Sequence, residues 1–384
     1  MAPVPFDMRL VQRGARLRRT PFFEATQRWG AKGYTVYNHM LFPICFDELE
    51  AEYWHLINHV TLWDVAVERQ VEITGPDAFR FANLLTPRDL SKCAVGQGKY
   101  VVITGEDGGI INDPVLMRLG ENHFWLALAD SDVLLWARGV ARAAGMKVEI
   151  TEPDVSPLQV QGPKAKAVVQ ALFGDAVLKL AYYWFLETKL DGIPVVVTRT
   201  GWSGEVGFEI YLRDGSRGED LWERVMAAGK PHDIRPTGPS DIRRIEAGIL
   251  NWGADITLAD TPYHVGLERL VDAAKTEDYI GREALRRVKA QGPTRLLAGV
   301  EIAGAPISFN ATKWPVLANG QRVGHITSAI HTPRLKKNIG YAMVPAAHAT
   351  TGKTLTVAIP EVGERAATVV QRPFVDPQKE IPKH

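Results

Sequence analysis

The 384-residue chain carries 45 basic and 44 acidic side chains, a net charge of +1, and is 46% hydrophobic. This near-neutral balance excludes nucleic-acid binding by bulk electrostatics, while the apolar fraction suffices for sizeable cores in two or three domains. Two cysteines, Cys45 and Cys93, exclude a disulfide scaffold and any site built from several cysteine ligands, and they suit a reducing, cytoplasmic setting.

No apolar run approaches the ~18 residues needed to cross a bilayer. The start of the chain, residues 1–23, carries arginines without an apolar stretch and reads as a solvated first helix rather than a targeting segment. From there the pattern mixes helices and strands. The expected elements are helix 47–60, strand 69–74, helix 77–85, strands 99–104 and 123–129, helix 131–144, strand 147–151, helix 164–173, strands 194–199 and 207–212, and helices 217–228 and 240–251. Ser131 and Ser240 stand where N-caps belong. Residues 71–78 (VEITGPDA) and 158–165 (LQVQGPKA) echo one another as a strand, a Gly-Pro turn and a helix start. Either a duplicated half-domain or two uses of a common junction explains the echo. Beyond residue 294, short β-like runs at 296–302, 323–328, 338–343, 354–358 and 366–371 predict a small all-β barrel or sandwich. The boundary falls near 285–294, which gives an α+β body over 1–288 and a C-terminal domain over 289–384.

Several familiar motifs fail. His55 and His59 have the spacing of two metal ligands on a helix, but His-Leu-Ile-Asn-His lacks the glutamate of a zinc-protease helix, and no third ligand is in sight. Gly96-Gln97-Gly98 precedes a strand rather than a helix, and Gly201-Trp202-Ser203-Gly204 is too short for a nucleophile elbow. Three stretches remain. Residues 34–40 (YTVYNHM) are aromatic and polar and lie between expected elements. Residues 108–115 (GGIINDPV) feed a turn into a strand with Asn112-Asp113 at its start. Residues 199–211 (RTGWSGEVGFEIY) place Glu209 within a strand, sharing a face with Gly207 and Tyr211.

These stretches resemble the folate-dependent aminomethyltransferase (T-protein) family of the glycine cleavage system. The likeness lies in GGIIND at 108–113, RTGWSGEVGFEI at 199–210, RIEAG at 244–248, YIGREAL at 279–285 and the segment 324–341, in order along nearly the whole chain. Residues 34–41, 63–73, 88–92 and 129–133 look more specifically like the dimethylsulfoniopropionate demethylase branch. Two positions depart from the glycine-cleavage pattern, Asn112 for its first aspartate and Trp202 for its tyrosine.

The resemblance implies a T-protein-like body of two related lobes plus a small C-terminal β-barrel, with folate in a channel between lobes. It also implies an enzyme that moves a methyl group from a small sulfonium to tetrahydrofolate, giving 5-methyltetrahydrofolate. Glu209 would then accept hydrogen bonds from the pterin N–H groups, Arg244 would reach the folate tail, and Tyr100 and Trp202 would wall the pterin or the donor. Asp113 would steer or polarise the accepting nitrogen. Tyr37, Trp202, Tyr211 and Trp184 are candidates for an aromatic cage around the cation, with Tyr37 foremost. Each has a plainer alternative: a solvent-face strand glutamate for Glu209, a surface charge pair with Arg243 for Arg244, a turn residue for Asp113 and core packing for Trp184. Rival readings are an O- or N-demethylase of the same fold and a non-enzymatic folate-binding protein. A homodimer is expected, without metal, nucleic acid or membrane.

Overall fold

The computed structural model describes residues 16–384; the greater part of the arginine-bearing start, residues 1–15, lies outside the described residues. The chain folds as two interleaved units. One takes the chain up to Gln70, Pro153–Gly201 and Glu205–Ser240; the other takes Val71–Glu152, Trp202–Gly204 and Asp241–His384.

The first unit is built on a six-stranded sheet. Its strand order is Phe185–Leu190, Ile193–Thr198, Gly207–Leu212, Ser156–Gln161, Val60–Asp64 and Ile234–Pro236. Alternation divides its faces. Leu62, Leu158, Val160, Val195, Val197, Phe208, Ile210 and Leu212 pack with Val168 and Val169 of helix Ala165–Phe173 and Leu221, Trp222 and Val225 of helix Gly218–Gly229. Each such fully buried aliphatic side chain contributes about 1.5–3 kcal/mol. The residues between them, Thr61, Trp63, Gln159, Gln161, Thr198, Glu209 and Tyr211, are polar or amphipathic and are buried as well.

Residues 34–40, read from sequence as lying between elements, instead form most of a β-hairpin. Strand Gly33–Tyr37 pairs with Met40–Cys45 in the register Tyr37↔Met40, which leaves a two-residue loop, Asn38-His39. Both loop residues have positive φ, 48° and 64°, as a type I′ turn requires, and Asn38 Nδ2 anchors the turn on the Val67 carbonyl at 3.0 Å.

In the second unit a five-stranded sheet runs in the order Glu149–Thr151, Gln70–Thr74, His123–Ala127, Val115–Gly120, Gln97–Tyr100. Helices Ala78–Leu85 and Val133–Ala143 cover it, burying Phe81, Leu85 and Ala137 against Val71, Ile73, Phe124 and Leu126. The expected strand 99–104 is two strands, because Gln97–Tyr100 belongs to this sheet while Ile103–Thr104 pairs with Ile110–Asn112. The expected N-cap Ser131 is displaced: the helix is capped at Asp132, and the Ser131 hydroxyl donates to the Ile111 carbonyl at 2.9 Å. Helix 240–251 shortens to Asp241–Glu246, ending where Gly248 takes φ +69°.

The two Gly-Pro junctions, one per unit, share their geometry. Gly75 and Gly162 take φ of 112° and 122°, and each accepts from a helix-start amide, Ala78 or Ala165, at 3.0 Å. A Cβ at either glycine would stand 2.8 Å from the Lys147 carbonyl or 2.6 Å from that of His59, so no other residue fits.

The C-terminal strands close into a barrel in the order Arg295–Ile302, Lys337–Pro345, Gln321–Thr332, Trp314–Ala318, Thr354–Ile359, Gly363–Val370. Sequence reading missed Trp314–Ala318, whose Pro315 weakens a strand signal. Its register Ala318↔Gln321 leaves an Asn319-Gly320 turn, both residues at positive φ, which was the available cue.

The second unit also buries an ammonium. Lys275 Nζ donates to Asn83 O at 2.6 Å, Asn83 Oδ1 at 2.9 Å, Thr86 O at 2.8 Å and Arg88 O at 3.2 Å. Lys275→Met would leave these acceptors desolvated, and a loss of about 3 kcal/mol is expected by urea unfolding with an unchanged m-value; a loss near zero would show that water replaces the ammonium.

Candidate functional site

Three pairs of the sequence-predicted residues come together, each within one unit. The first is Glu209 with Tyr211. Both lie on strand Gly207–Leu212, and Glu209 faces Gln159 on one neighbouring strand and Thr198 on the other. The carboxylate is 4% exposed, which excludes the solvent-face alternative. It accepts from Gln159 Nε2 at 2.6 Å, Thr200 Oγ1 at 2.5 Å, Tyr211 Oη at 2.9 Å and Thr198 Oγ1 at 3.4 Å. Burial raises its pKa despite these donors, and burial together with the Glu209 charge pushes the Tyr211 phenol well above its ordinary value. Sequence reading missed Gln159. Its Nε2 donates to Glu209, while its Oε1 is buried and takes no hydrogen bond from the described residues. A ligand edge with adjacent N–H donors would meet an acceptor at Gln159 beside those of Glu209.

The second pair is Tyr100 with Asp113. Tyr100 ends strand Gln97–Tyr100 opposite Val115, and its hydroxyl donates to Asp113 Oδ2 at 2.8 Å. Arg88 Nη1 holds the Tyr100 carbonyl at 2.5 Å, and the Arg88 carbonyl is in turn held by Lys275. Desolvation raises Asp113 to about 7, with a further push from the Asp255 anion, while the Tyr100 bond opposes the rise. Neighbouring Asn112 is fully engaged elsewhere: Nδ2 donates to Ala129 O at 3.0 Å and Ser131 Oγ at 2.8 Å, and Oδ1 accepts from Ala129 N at 3.1 Å. An aspartate there would lack both donors.

Arg244 and Trp202 form the third pair, the guanidinium lying 5.7 Å from the indole centroid. Neither Arg243 nor Arg244 is a surface charge; both are fully buried. Arg244 Nε donates to Asp241 at 2.8 Å, Nη1 to Asp255 at 2.6 Å and to the Ile249 carbonyl at 3.4 Å, and Nη2 to Ser328 at 2.8 Å. Four of its five N–H groups therefore face the protein itself. Asp255, unread in the sequence, is the centre of this network and also accepts from Thr327 and Ser328 Oγ at 2.6 Å each. Burial alone would lower the Arg244 pKa, but Asp255 and Asp241 hold it above its ordinary value.

The remaining two candidates stand outside these pairs. Half-buried Tyr37 packs edge-on against Phe42 of its own hairpin, with centroids 5.9 Å apart. Trp184 is half-buried in the turn before strand Phe185–Leu190. Breaking a buried ion pair from one side strands the other charge. Asp255→Ala is therefore expected to destabilise by about 3–5 kcal/mol in denaturant titration; a cost below about 1 kcal/mol would contradict the pairing.

Residues 16–275 match the family model described as the GCVT N-terminal domain, and residues 295–376 match the glycine cleavage T-protein C-terminal barrel domain. The chain is 44% identical over 354 residues to the dimethylsulfoniopropionate demethylase DmdA of Ruegeria pomeroyi, covering 92% of this chain and 96% of that one. It is 34% identical to an aminomethyltransferase of Shouchella clausii, covering 94% and 98% of the two chains. Among solved structures, the glycine cleavage system aminomethyltransferase T of Bartonella henselae aligns with a TM-score of 0.84 at 26% identity, covering 94% of this chain and 98% of that one. The mixed α/β body and the closed six-stranded barrel agree with these matches: the chain belongs to the glycine cleavage T-protein family.

Proposed function

We propose that this chain is a tetrahydrofolate-dependent demethylase that takes a methyl group from a small sulfonium of the dimethylsulfoniopropionate kind. The choice of donor rests on the 44% identity to the Ruegeria pomeroyi demethylase across 92% of the chain. The chemistry rests on the Tyr100–Asp113 pair. As the acceptor nitrogen forms its bond to the methyl carbon, the carbon–sulfur bond breaks with its electrons left on sulfur. A neutral thioether departs and needs no acid. The nitrogen turns cationic and must lose its proton. A carboxylate held by one phenol meets that charge and receives the proton.

Glu209, with Tyr211 and Gln159, supplies acceptors for the N–H edge of the pterin. Trp202, with the Arg244 guanidinium against its ring, is the candidate wall for a ligand, and Arg244 is itself held by Asp255 and Asp241. Tyr37, and secondarily Trp184, present aromatic faces to the sulfonium cation. No helix of the described residues is long and apolar enough to cross a membrane, and both cysteines are free thiols, which suits a cytoplasmic setting. A homodimer completes the reading, to be checked by light scattering.

A donor panel of dimethylsulfoniopropionate, glycine betaine, dimethylglycine and vanillate, read by mass detection of 5-methyltetrahydrofolate, tests the assignment. Product from the sulfonium alone is expected; product from vanillate or an amine alone would replace the donor, and none from any would favour a folate binder.

Two variants examine the residues. Glu209→Gln is expected to weaken tetrahydrofolate binding by roughly 10- to 100-fold, the worth of a charged hydrogen bond, without loss of fold. The Asp113 carboxyl titrates near 7 in the folded chain, against 3.8 for an ordinary aspartate. Its proton is thus kept in the folded state between these values and lost in the unfolded one. Its contribution to stability is complete below 3.8 and fades as pH rises through about 7. Activity runs the other way, because the anion is the working form: kcat/KM should rise with pH to a plateau above about 7. In Asp113→Asn that rise should vanish, with a loss of roughly 10²-fold or more; an unchanged profile would remove Asp113 from the reaction.

A further inference from the structure

The histidine pair His55 and His59 takes no part in the proposed methyl transfer. His55 lies on helix Leu49–Asn58, and His59 is the residue that closes it. The fold brings them the third group that the sequence hid. Strand Ile234–Pro236 runs parallel to Val60–Asp64 with Ile234 level with Val60, so Asp233 comes level with His59. The two imidazoles stack with centroids 4.8 Å apart and planes 9° from parallel.

The hydrogen bonds fix the tautomers. His55 Nε2 lies 2.7 Å from the backbone carbonyl of Asp233. A carbonyl only accepts, so Nε2 carries the hydrogen and Nδ1 carries the lone pair. That lone pair faces Asp233 Oδ2 at 4.0 Å, and His59 Nδ1 lies 3.8 Å from the same oxygen. His59 Nδ1 also receives Lys164 Nζ at 2.9 Å; an ammonium only donates, so this nitrogen is a lone pair too. One ligand atom from each of the three residues falls within 4.8 Å of the others. A ring N–H tied to a backbone carbonyl, with the other nitrogen free, is how metal-binding histidines are held. Tetrahedral zinc at its usual bond lengths would place ligand atoms about 3.3 Å apart and in the plane of each imidazole, so the partly exposed His59 ring must turn out of its stack on His55 to complete the set.

We propose that His55, His59 and Asp233 bind one divalent metal ion of the zinc class, with water completing the coordination. Two side-chain cations now stand at its edge, Lys164 on His59 and Arg235 on Asp233, the latter with Nη2–Oδ2 at 3.2 Å. They are competitors that the ion displaces. Such an ion would staple the end of the helix to the start of the edge strand.

The test is calorimetric titration of the chelator-treated full chain with ZnCl₂, with CoCl₂ absorption reporting tetrahedral geometry. One ion per chain at micromolar affinity is expected. His59 and Asp233 are partly exposed, so their variants should fold; Asn also tolerates the left-handed backbone of Asp233, φ +57°. His59→Ala and Asp233→Asn should each weaken binding by roughly 10- to 100-fold, with apo melting unchanged. Lys164→Met should tighten it, which a merely packed histidine pair would not predict. No saturable binding below millimolar zinc, binding indifferent to His59→Ala and Asp233→Asn, or weaker binding in Lys164→Met would overturn the proposal.

Discussion

A carboxylate taken out of water must be met by donors, and that constraint shapes both units of this protein. Glu209 stands in the middle strand of a sheet buried on both faces, and four side chains converge on it. Asp255 is met by an arginine and two hydroxyls. Asp113 receives the Tyr100 phenol, and desolvation raises its carboxyl to about 7. In the proposed reaction the carboxylates with several donors would hold geometry, and Asp113 would meet the charge that forms on the accepting nitrogen.

The apolar face of the six-stranded sheet makes this possible. Leu158, Val160, Phe208 and Ile210 fix the register through the hydrophobic core, and a slip of one residue would turn Glu209 into that core. Gln159 and Thr198 are then delivered beside Glu209 by pairing alone. Likewise, the engagement of Asn112 with residues 129–131 fixes the start of the segment that carries Asp113. The departures from the glycine-cleavage pattern at Asn112 and Trp202 fall on a residue held by hydrogen bonds to Ala129 and Ser131 and on one packed against Arg244.

Much of this was legible in the sequence, where local chemistry and pattern agree. Strand Gly207–Leu212 and both Gly-Pro junctions follow from alternation and from glycine geometry, and the motifs carried the family. What stayed hidden depends on contacts distant in sequence. The sequence leaves Arg244 beside Arg243 open between a folate contact and a surface charge pair, and only Asp255 and Ser328, eleven and 84 residues away, which enclose it, remove the surface alternative. Asp233 joins the histidine pair only through a parallel strand register. The hairpin at 33–45 and strand Trp314–Ala318 were missed because a His in one turn and a Pro in the other strand masked ordinary two-residue turns.

The proposed function turns on direct methyl transfer onto a folate nitrogen beside Asp113. A single turnover with trideuteromethyl-labelled dimethylsulfoniopropionate tests it most directly. Direct transfer yields 5-methyltetrahydrofolate heavier by the three deuterons of one intact methyl group, with the thioether acid as co-product. Loss of deuterium from the transferred carbon, or a methylene-level folate product, would contradict it.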